Sequence, residues 1–118
     1  MAKVLVVDDS ALMRKMLCDF LRDLGHIPVP AGTVEEALYL CAAAKPDLVI
    51  KDLVMKDTDP ASFLAQVRSI KSNLPVVICS TAGRQREIFS ALKAGAADFL
   101  IKPFCPRDIA ALVDRYVI

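Results

Sequence analysis

The sequence lacks an excess of one charge and lacks any apolar run long enough to cross a membrane. Its 118 residues include 15 Lys and Arg against 14 Asp and Glu, for a formal net charge of +1. This balance gives no electrostatic reason to expect a nucleic acid or an anionic membrane surface as a partner. A membrane-spanning helix needs about 20 apolar residues in succession, and the first residues show no signal-peptide pattern. We therefore expect neither a membrane protein nor a secreted one.

The sequence also has little of what a zinc site or a disulfide framework requires. Its four cysteines, at positions 18, 41, 79 and 105, form no CxxC pair, and His26 is its one histidine. Such a set does not complete a zinc site of the usual kind. Single cysteines among apolar neighbours are typical of small buried hydrophobic residues. We expect all four to be unpaired and buried, and the protein to be cytoplasmic.

Length and composition fit one folded domain. A chain of 118 residues has the usual size of a compact domain and is too short for a second. Hydrophobic residues make up 55% of it, which is enough to cover both faces of a sheet. No segment is repetitive or linker-like. We expect residues 1–118 to form a single domain.

Short strand-like segments alternate with segments of helical periodicity. Runs of apolar and β-branched residues predict strands at residues 3–7, 27–30, 48–51, 76–79 and 98–101. After each of them the apolar residues recur at intervals of three and four, which is the helical period. Local signals mark helix ends: a Thr33/Glu36 capping box, helix starts at Asp59-Pro60 and Cys105-Pro106, and a stop at Gly95.

Five strand–helix units imply an α/β fold with a parallel sheet and helices on both faces. The first and third strands are continuously apolar, so they should be central. The second contains Pro28 and Pro30, whose missing N–H groups face one side, which should therefore be an open edge. The predicted fold is doubly wound and flavodoxin-like, with strand order 2-1-3-4-5.

Polar residues follow the predicted strands at their carboxyl ends, where ligands bind in such sheets. Asp8 and Asp9 follow the first strand, and Asp52, Ser80 and Lys102 follow the third, fourth and fifth. Clustered carboxylates repel each other unless a cation lies among them, and Mg²⁺ commonly bridges carboxylates to phosphate. A lysine neutralises phosphate, and a carboxylate can accept a phosphoryl group covalently. The site therefore has the parts needed to form and hydrolyse an aspartyl phosphate.

Three segments, in order along the chain, resemble the signature of response regulator receiver domains. They are VLVVDDS at residues 4–10, PDLVIKD at 46–52 and GAADFLIKPF at 95–104. Each alone is moderately specific, whereas all three in order, across essentially the whole chain, are very specific. DDSALMR at residues 8–14 and CSTAG at 79–83 look most similar to the chemotaxis, CheY-like branch.

The resemblance implies a phosphoacceptor in a two-component signalling system, not an enzyme acting on other substrates. Asp52 would take a phosphoryl group from the phosphohistidine of a histidine kinase in a Mg²⁺-dependent reaction. Mg²⁺ would be bound by Asp9, by Asp52 and by the backbone carbonyl of Val54. Asp8 would act on the metal largely through water.

The resemblance also implies a switch and an output surface. Ser80 would be the switch hydroxyl, Phe99 the aromatic switch, and Lys102 the phosphate-binding lysine, followed by a cis bond to Pro103. The surface made by the fourth helix, fifth strand and fifth helix would then bind a flagellar motor switch or another downstream protein. Whether the chain acts alone or is the receiver of a longer, for example DNA-binding, regulator is left open.

The stretch after Asp52 departs from the usual family pattern of Met-Pro-x-Met-Asp-Gly. Here it is MKDTDP at residues 55–60, with Lys56 in place of a turn proline and Pro60 in place of glycine. We expect a different loop conformation, with Asp57 in a turn, and intact chemistry. Lys51 is unusual in a central strand, and we expect its stem to pack while its ammonium reaches solvent.

Two further positions bear on the switch and on its lifetime. Thr81 occupies a position that is usually small, so the switch hydroxyl is Ser80 or Thr81, with the spacing to Lys102 favouring Ser80. Relatives often carry polar side chains where this chain has Val54 and Ala82, and neither of these orients a water. We expect unaided dephosphorylation to be slower than in those relatives, so that a separate phosphatase, or back-transfer of the phosphoryl group, resets the switch.

Three other functions fit the sequence less well. A phosphatase of the haloacid dehalogenase type needs an Asp-x-Asp motif after the first strand, which VDDS at residues 7–10 does not provide. A flavodoxin-like electron carrier needs a phosphate-binding loop there, and two aspartates would repel the flavin phosphate. A docking module independent of phosphorylation would not need the intact set Asp9, Asp52, Ser80 and Lys102.

Overall fold

Strands and helices alternate along the whole of the described chain. The structure is a computed structural model that describes residues 1–56 and 59–117. Its elements are β1 Lys3–Val7, α1 Ala11–Asp23, β2 Ile27–Ala31, α2 Val34–Ala43, β3 Leu48–Asp52, α3 Pro60–Ile70, β4 Val76–Thr81, α4 Gln85–Lys93, β5 Asp98–Lys102 and α5 Pro106–Tyr116. Within these residues no helix has the length and apolar character needed to cross a bilayer.

The strands form one parallel sheet in the order β2-β1-β3-β4-β5. The predicted strand order is therefore confirmed. β2 is an edge strand that pairs with β1, placing Pro28 opposite Val4 and Pro30 opposite Val6. An edge strand tolerates two prolines because the missing N–H groups are needed by no second neighbour.

Hydrophobic side chains pack on both faces of the sheet. On one face, Leu5 belongs to a cluster that includes Phe63 of α3 and residues of α2 and α4. On the other face, Val6 belongs to a cluster that includes Leu17 of α1 and Ile109 of α5. Successive strand residues point to opposite faces, so a continuously apolar strand is the pattern that two covered faces require.

The predicted helix starts after Thr33 and Asp59 are confirmed by the hydrogen bonds that these two side chains accept. The Thr33 hydroxyl accepts a hydrogen bond from the Glu36 N–H at 3.1 Å, and the Asp59 carboxylate accepts one from the Ser62 N–H at 2.9 Å. Pro60 is the first residue of α3, where no intrahelical N–H bond is lost. The predicted turn at Asp57 lies outside the described residues.

Three strands extend to the polar residues that follow their apolar runs. β3 ends at Asp52, β4 at Thr81 and β5 at Lys102, beyond the predicted ends at residues 51, 79 and 101. Ladder hydrogen bonds do not depend on side-chain polarity, so pairing continues past the hydrophobic pattern that marks a strand in the sequence. These polar side chains therefore project from regular strands of fixed direction.

The expectation that the Lys51 ammonium reaches solvent is wrong. The side chain is fully buried, and its Nζ donates a hydrogen bond to the main-chain carbonyl of Asp52 at 2.7 Å. The same nitrogen lies 5.4 Å from the centroid of the Phe63 ring, within the range of a cation–π contact. A lysine in a central strand has no direct path to water, so it takes polar and aromatic partners from its own side of the sheet.

The cysteine prediction is correct for three residues and wrong for the fourth. All four thiols are free, and Cys18, Cys41 and Cys79 are buried. Burial raises the pKa of the Cys79 thiol to about 12, so it remains protonated. Cys105 is exposed because it occupies the N-cap of α5, in the connection from β5 and outside both hydrophobic clusters.

We predict that Gly95→Ala destabilises the domain by about 1–3 kcal/mol, because Gly95 has a φ of +117° and L side chains strain that backbone. A Cβ there would also meet the Arg68 guanidinium, which donates a hydrogen bond to the Ala94 carbonyl at 3.1 Å. Urea unfolding measures the loss. The control is Gly25→Ala, at a φ of +88° with open space around it, which should cost less. Equal losses for the two variants would refute the role given to Arg68.

Candidate functional site

Three carboxylates meet at the carboxyl edge of the sheet. β1 and β3 are neighbours, so Asp8 and Asp9 after β1 lie beside Asp52 at the end of β3. One carboxylate oxygen from each lies within 4.8 Å of the other two. Asp8 is buried, Asp52 is partly buried and Asp9 is exposed. The sequence-predicted acidic cluster is thus present, and it is open to solvent on the side of Asp9.

Local hydrogen bonds hold Asp8 in the connection from β1 to α1. Its Oδ1 accepts a hydrogen bond from the Ser10 N–H at 2.8 Å, and its main-chain carbonyl accepts one from the Arg14 guanidinium at 2.7 Å. Burial raises the pKa of the Asp8 carboxyl, the Ser10 N–H opposes this, and repulsion from Asp52 adds to the increase. The net increase means that the folded chain holds a carboxylate here at a cost in stability.

Lys102, at the end of the edge strand β5, contacts the acidic cluster. Although β4 lies between β3 and β5, the Lys102 Nζ donates a hydrogen bond to Asp52 Oδ1 at 2.8 Å and lies 3.7 Å from Asp8 Oδ2. Burial lowers the pKa of Lys102, but the bond to Asp52 and the attraction of both carboxylates outweigh it, and the net shift is upward. Lys102 is therefore a cation at neutral pH, and the bond to Pro103 that follows it is cis, as predicted.

A small pocket of about 140 Å³ opens beside Asp52. Its lining residues are Asp52, Leu53, Val54, Ser80, Thr81, Arg84 and Lys102. The Ser80 side chain is buried, and its hydroxyl donates a hydrogen bond to the Thr81 carbonyl at 2.9 Å. Thr81 itself is exposed. Both candidate switch hydroxyls therefore border the space next to the Asp52 carboxylate.

Phe99 lies apart from this pocket. The side chain is 41% exposed on β5 and borders an apolar groove of about 390 Å³ against α4. Phe89, Ile101 and Leu92 line the same groove. An aromatic ring turned outward over an apolar groove has space to move, and the surface it covers would change with its orientation.

Sequence reasoning missed one residue of the pocket. In the sequence, Arg84 and Arg86 are two alike charged residues of the segment that follows β4, yet Arg84 lines the pocket with Asp52 and Lys102. Its guanidinium is paired with Glu87 Oε2 at 2.7 Å. Arg86 lines a different cavity, between α3 and α4. No sequence motif distinguishes the two arginines. Which of them lines the pocket beside Asp52 depends on the folded conformation of the connection from β4 to α4.

Comparison with known proteins agrees with this geometry. The family model of the response regulator receiver domain matches residues 4–114. The chain belongs to the response regulator receiver domain family. Such domains are the receivers of two-component signalling systems, so this receiver domain is a signalling domain.

This receiver domain is similar to chemotaxis proteins over their whole length and to longer regulators over part of theirs. It is 33% identical to chemotaxis protein CheY of Thermotoga maritima, over 96% of this chain and 95% of that protein. Chemotaxis protein CheY4 of Vibrio cholerae has a solved structure that matches with a TM-score of 0.90 and 31% identity over 99% of both chains. Response regulator protein FleR of Pseudomonas aeruginosa is 36% identical over 99% of this chain but only 25% of its own length.

We predict that Asp8→Asn raises the melting temperature in Mg²⁺-free buffer at pH 7 by a few degrees, on the order expected for a small gain in free energy. The raised pKa of Asp8 means that its ionised form costs stability above the unfolded value of 3.8. Asparagine keeps the Oδ1 acceptor for Ser10 without the charge. The increase in melting temperature should therefore shrink as the pH falls toward 3.8, because Asp8 then becomes protonated in both the folded and the unfolded wild type.

The control for this prediction is Asp19→Asn. Asp19 is a surface carboxyl whose pKa is lowered by its hydrogen bond to Lys15, so its loss should leave the melting temperature unchanged or slightly lower. Calorimetry of both variants between pH 4 and pH 7 measures the difference. An Asp8→Asn melting temperature at or below that of the wild type at pH 7 would contradict the stability cost assigned to the buried, ionised Asp8.

Proposed function

We propose that this receiver domain accepts a phosphoryl group from the phosphohistidine of a histidine kinase onto Asp52, in a Mg²⁺-dependent reaction. The observation that carries the proposal is the Asp52 carboxylate itself, at the end of a central strand, bonded to Lys102 at 2.8 Å and beside two further carboxylates. In-line phosphoryl transfer needs mainly positioning and charge neutralisation, and these residues supply both.

The residues of the acidic cluster fit Mg²⁺. The donors are hard carboxylate oxygens, which suit Mg²⁺, and burial together with repulsion from Asp52 holds the pKa of Asp8 above its usual value despite the nearby Lys102. Asp9, Asp52 and the backbone carbonyl of Val54 would hold the ion, with Asp8 acting largely through water. When bound, Mg²⁺ supplies charge neutralisation for the carboxylates and for the phosphoryl oxygens.

The transfer itself requires little covalent chemistry from the protein. A carboxylate oxygen of Asp52 forms a bond to phosphorus while the bond from phosphorus to the histidine nitrogen breaks, and that electron pair stays on the imidazole. The Lys102 ammonium, already bonded to Asp52, pairs with the negative charge on the transferred group. The pocket beside Asp52 supplies the space that the group occupies.

The same pocket suggests how phosphorylation alters the surface. The Ser80 hydroxyl gives up the Thr81 carbonyl and donates to a phosphoryl oxygen, since a charge-assisted hydrogen bond is stronger than a neutral one. Phe99, outward in this structure, then turns inward toward the space that Ser80 leaves. The population of a second conformation of the α4-β5-α5 surface increases, and a downstream protein binds that conformation.

The partners follow from this reaction. They are a histidine kinase, a downstream protein such as a flagellar motor switch, and a phosphatase that resets the domain, with the receiver domain itself acting in the cytoplasm. We propose that residues 1–118 form a single receiver domain. The similarity to FleR over a quarter of its length supports the alternative that this domain serves within a longer regulator.

We predict that acetyl phosphate with Mg²⁺ adds one phosphoryl mass to the wild type, and that the addition is lost in Asp52→Asn and in excess EDTA. The reason is that Asp52 supplies the accepting oxygen and the metal neutralises the charge. Intact-mass spectrometry at low temperature measures the added mass. The matched control is Asp47→Asn at the opposite end of β3, where Asp47 accepts a hydrogen bond from the Lys3 N–H. A full phosphoryl mass on Asp52→Asn would refute the assignment, and none on the wild type would favour a docking module.

We also predict slow loss of the phosphoryl group without a phosphatase, because neither Val54 nor Ala82 can orient the attacking water. Val54→Asn and Ala82→Glu should each speed the decay by roughly threefold or more, since each adds a group that hydrogen-bonds water. Ala111→Glu, on the exposed side of α5, controls for added charge. The measurement is phosphoryl decay with Mg²⁺ present, and decay rates equal to wild type in both variants would overturn the water-orientation hypothesis.

A further inference from the structure

The pocket beside Asp52 has a second cation on its wall. Arg84 precedes the first residue of α4 and lines the pocket together with Asp52, Ser80 and Lys102. Its side chain is 42% exposed, so it is neither buried nor free in solvent. Gly83, with a φ of +94°, lies in the turn just before it, and Arg84 also borders the apolar groove between α4 and Phe99.

The Arg84 guanidinium is held in place by a weak partner. Glu87 Oε2 accepts its hydrogen bond at 2.7 Å, and both side chains are substantially exposed, at 42% and 51%. An exposed ion pair of this kind contributes little to stability. A guanidinium with five donors can therefore exchange such a carboxylate for a phosphoryl oxygen at little cost.

The proposed phosphorylated site has a net negative charge that one more cation would neutralise. A phosphoryl group carries roughly two negative charges near neutral pH, and Asp8 and Asp9 add two more. One Mg²⁺ and the Lys102 ammonium offset three of these four charges. Among the described residues lining the pocket, Arg84 is the remaining cation.

We propose that Arg84 is a second phosphoryl-binding cation of this receiver domain, which leaves Glu87 and pairs with the phosphoryl oxygens on Asp52. This inference rests on the proposed phosphorylation of Asp52. A fork of N–H donors binds planar or tetrahedral oxyanions with more geometric definition than an ammonium. Glu87 is then the resting partner that competes with the phosphoryl group for the same guanidinium.

The test is the affinity for beryllofluoride, a phosphoryl mimic, formed from beryllium chloride and excess fluoride with Mg²⁺ and followed by backbone amide shifts. Arg84→Gln should weaken the apparent affinity by roughly tenfold, the scale of one charged hydrogen bond in a partly exposed site. Arg84→Lys should recover part of this loss. Glu87→Gln should strengthen the affinity by roughly two- to threefold, because it removes the competing carboxylate.

The matched control is Arg86→Gln, which changes the net charge equally on the same helix but lines the separate cavity between α3 and α4. It should alter the affinity by less than about twofold, as expected for a screened charge. Equal affinities for Arg84→Gln and Arg86→Gln, with a wild type that binds, would overturn this inference and leave the proposed function standing. A wild type that binds no beryllofluoride would overturn both.

Discussion

Repulsion among Asp8, Asp9 and Asp52 is the constraint on which the functional edge of this domain depends. The sheet order brings β1 and β3 side by side and forces their terminal carboxylates within 4.8 Å of each other. Two like charges at such a distance interact by several kcal/mol at an intermediate dielectric constant. The hydrogen bond from Lys102 to Asp52 offsets part of this energy, while burial, with repulsion from Asp52 and Asp9 added to it, keeps the pKa of Asp8 raised.

The apolar scaffold around this edge supplies the stability that the clustered charges reduce. Both faces of the central strands are covered by hydrophobic clusters, and their burial supplies the favourable free energy that tolerates a costly polar edge. The carboxylates sit at strand ends, where the direction of each side chain follows from the pairing of the strand. The pairing of the strands therefore sets the distances in the site, although its residues come from the ends of four strands that are distant in sequence.

The positions of two cations, Lys51 and Arg84, relative to the Asp52 carboxylate are set by the folded structure. Lys51 precedes Asp52, yet it points into the core, where the Asp52 carbonyl and the Phe63 ring surround its ammonium. Arg84 is 32 positions away in the chain and borders the same pocket as the Asp52 carboxylate. The cation next to Asp52 in sequence faces away from the Asp52 carboxylate, since alternate strand residues face opposite sides, while a cation from the connection between β4 and α4 lines the pocket.

The sequence by itself determined the fold class, the strand order and the acidic and basic residues at the strand ends. It could do so because hydrophobic periodicity, paired prolines in an edge strand and capping residues such as Thr33 and Asp59 act locally or through simple topology. It did not determine the burial of Lys51, the exposure of Cys105 or the pocket position of Arg84. Those depend on which neighbours surround a side chain after packing, a property that no short pattern encodes. Only the tertiary structure brings Lys102 across β4 to Asp52 and separates Arg84 from Arg86, because strand twist and the connection from β4 to α4 set those directions.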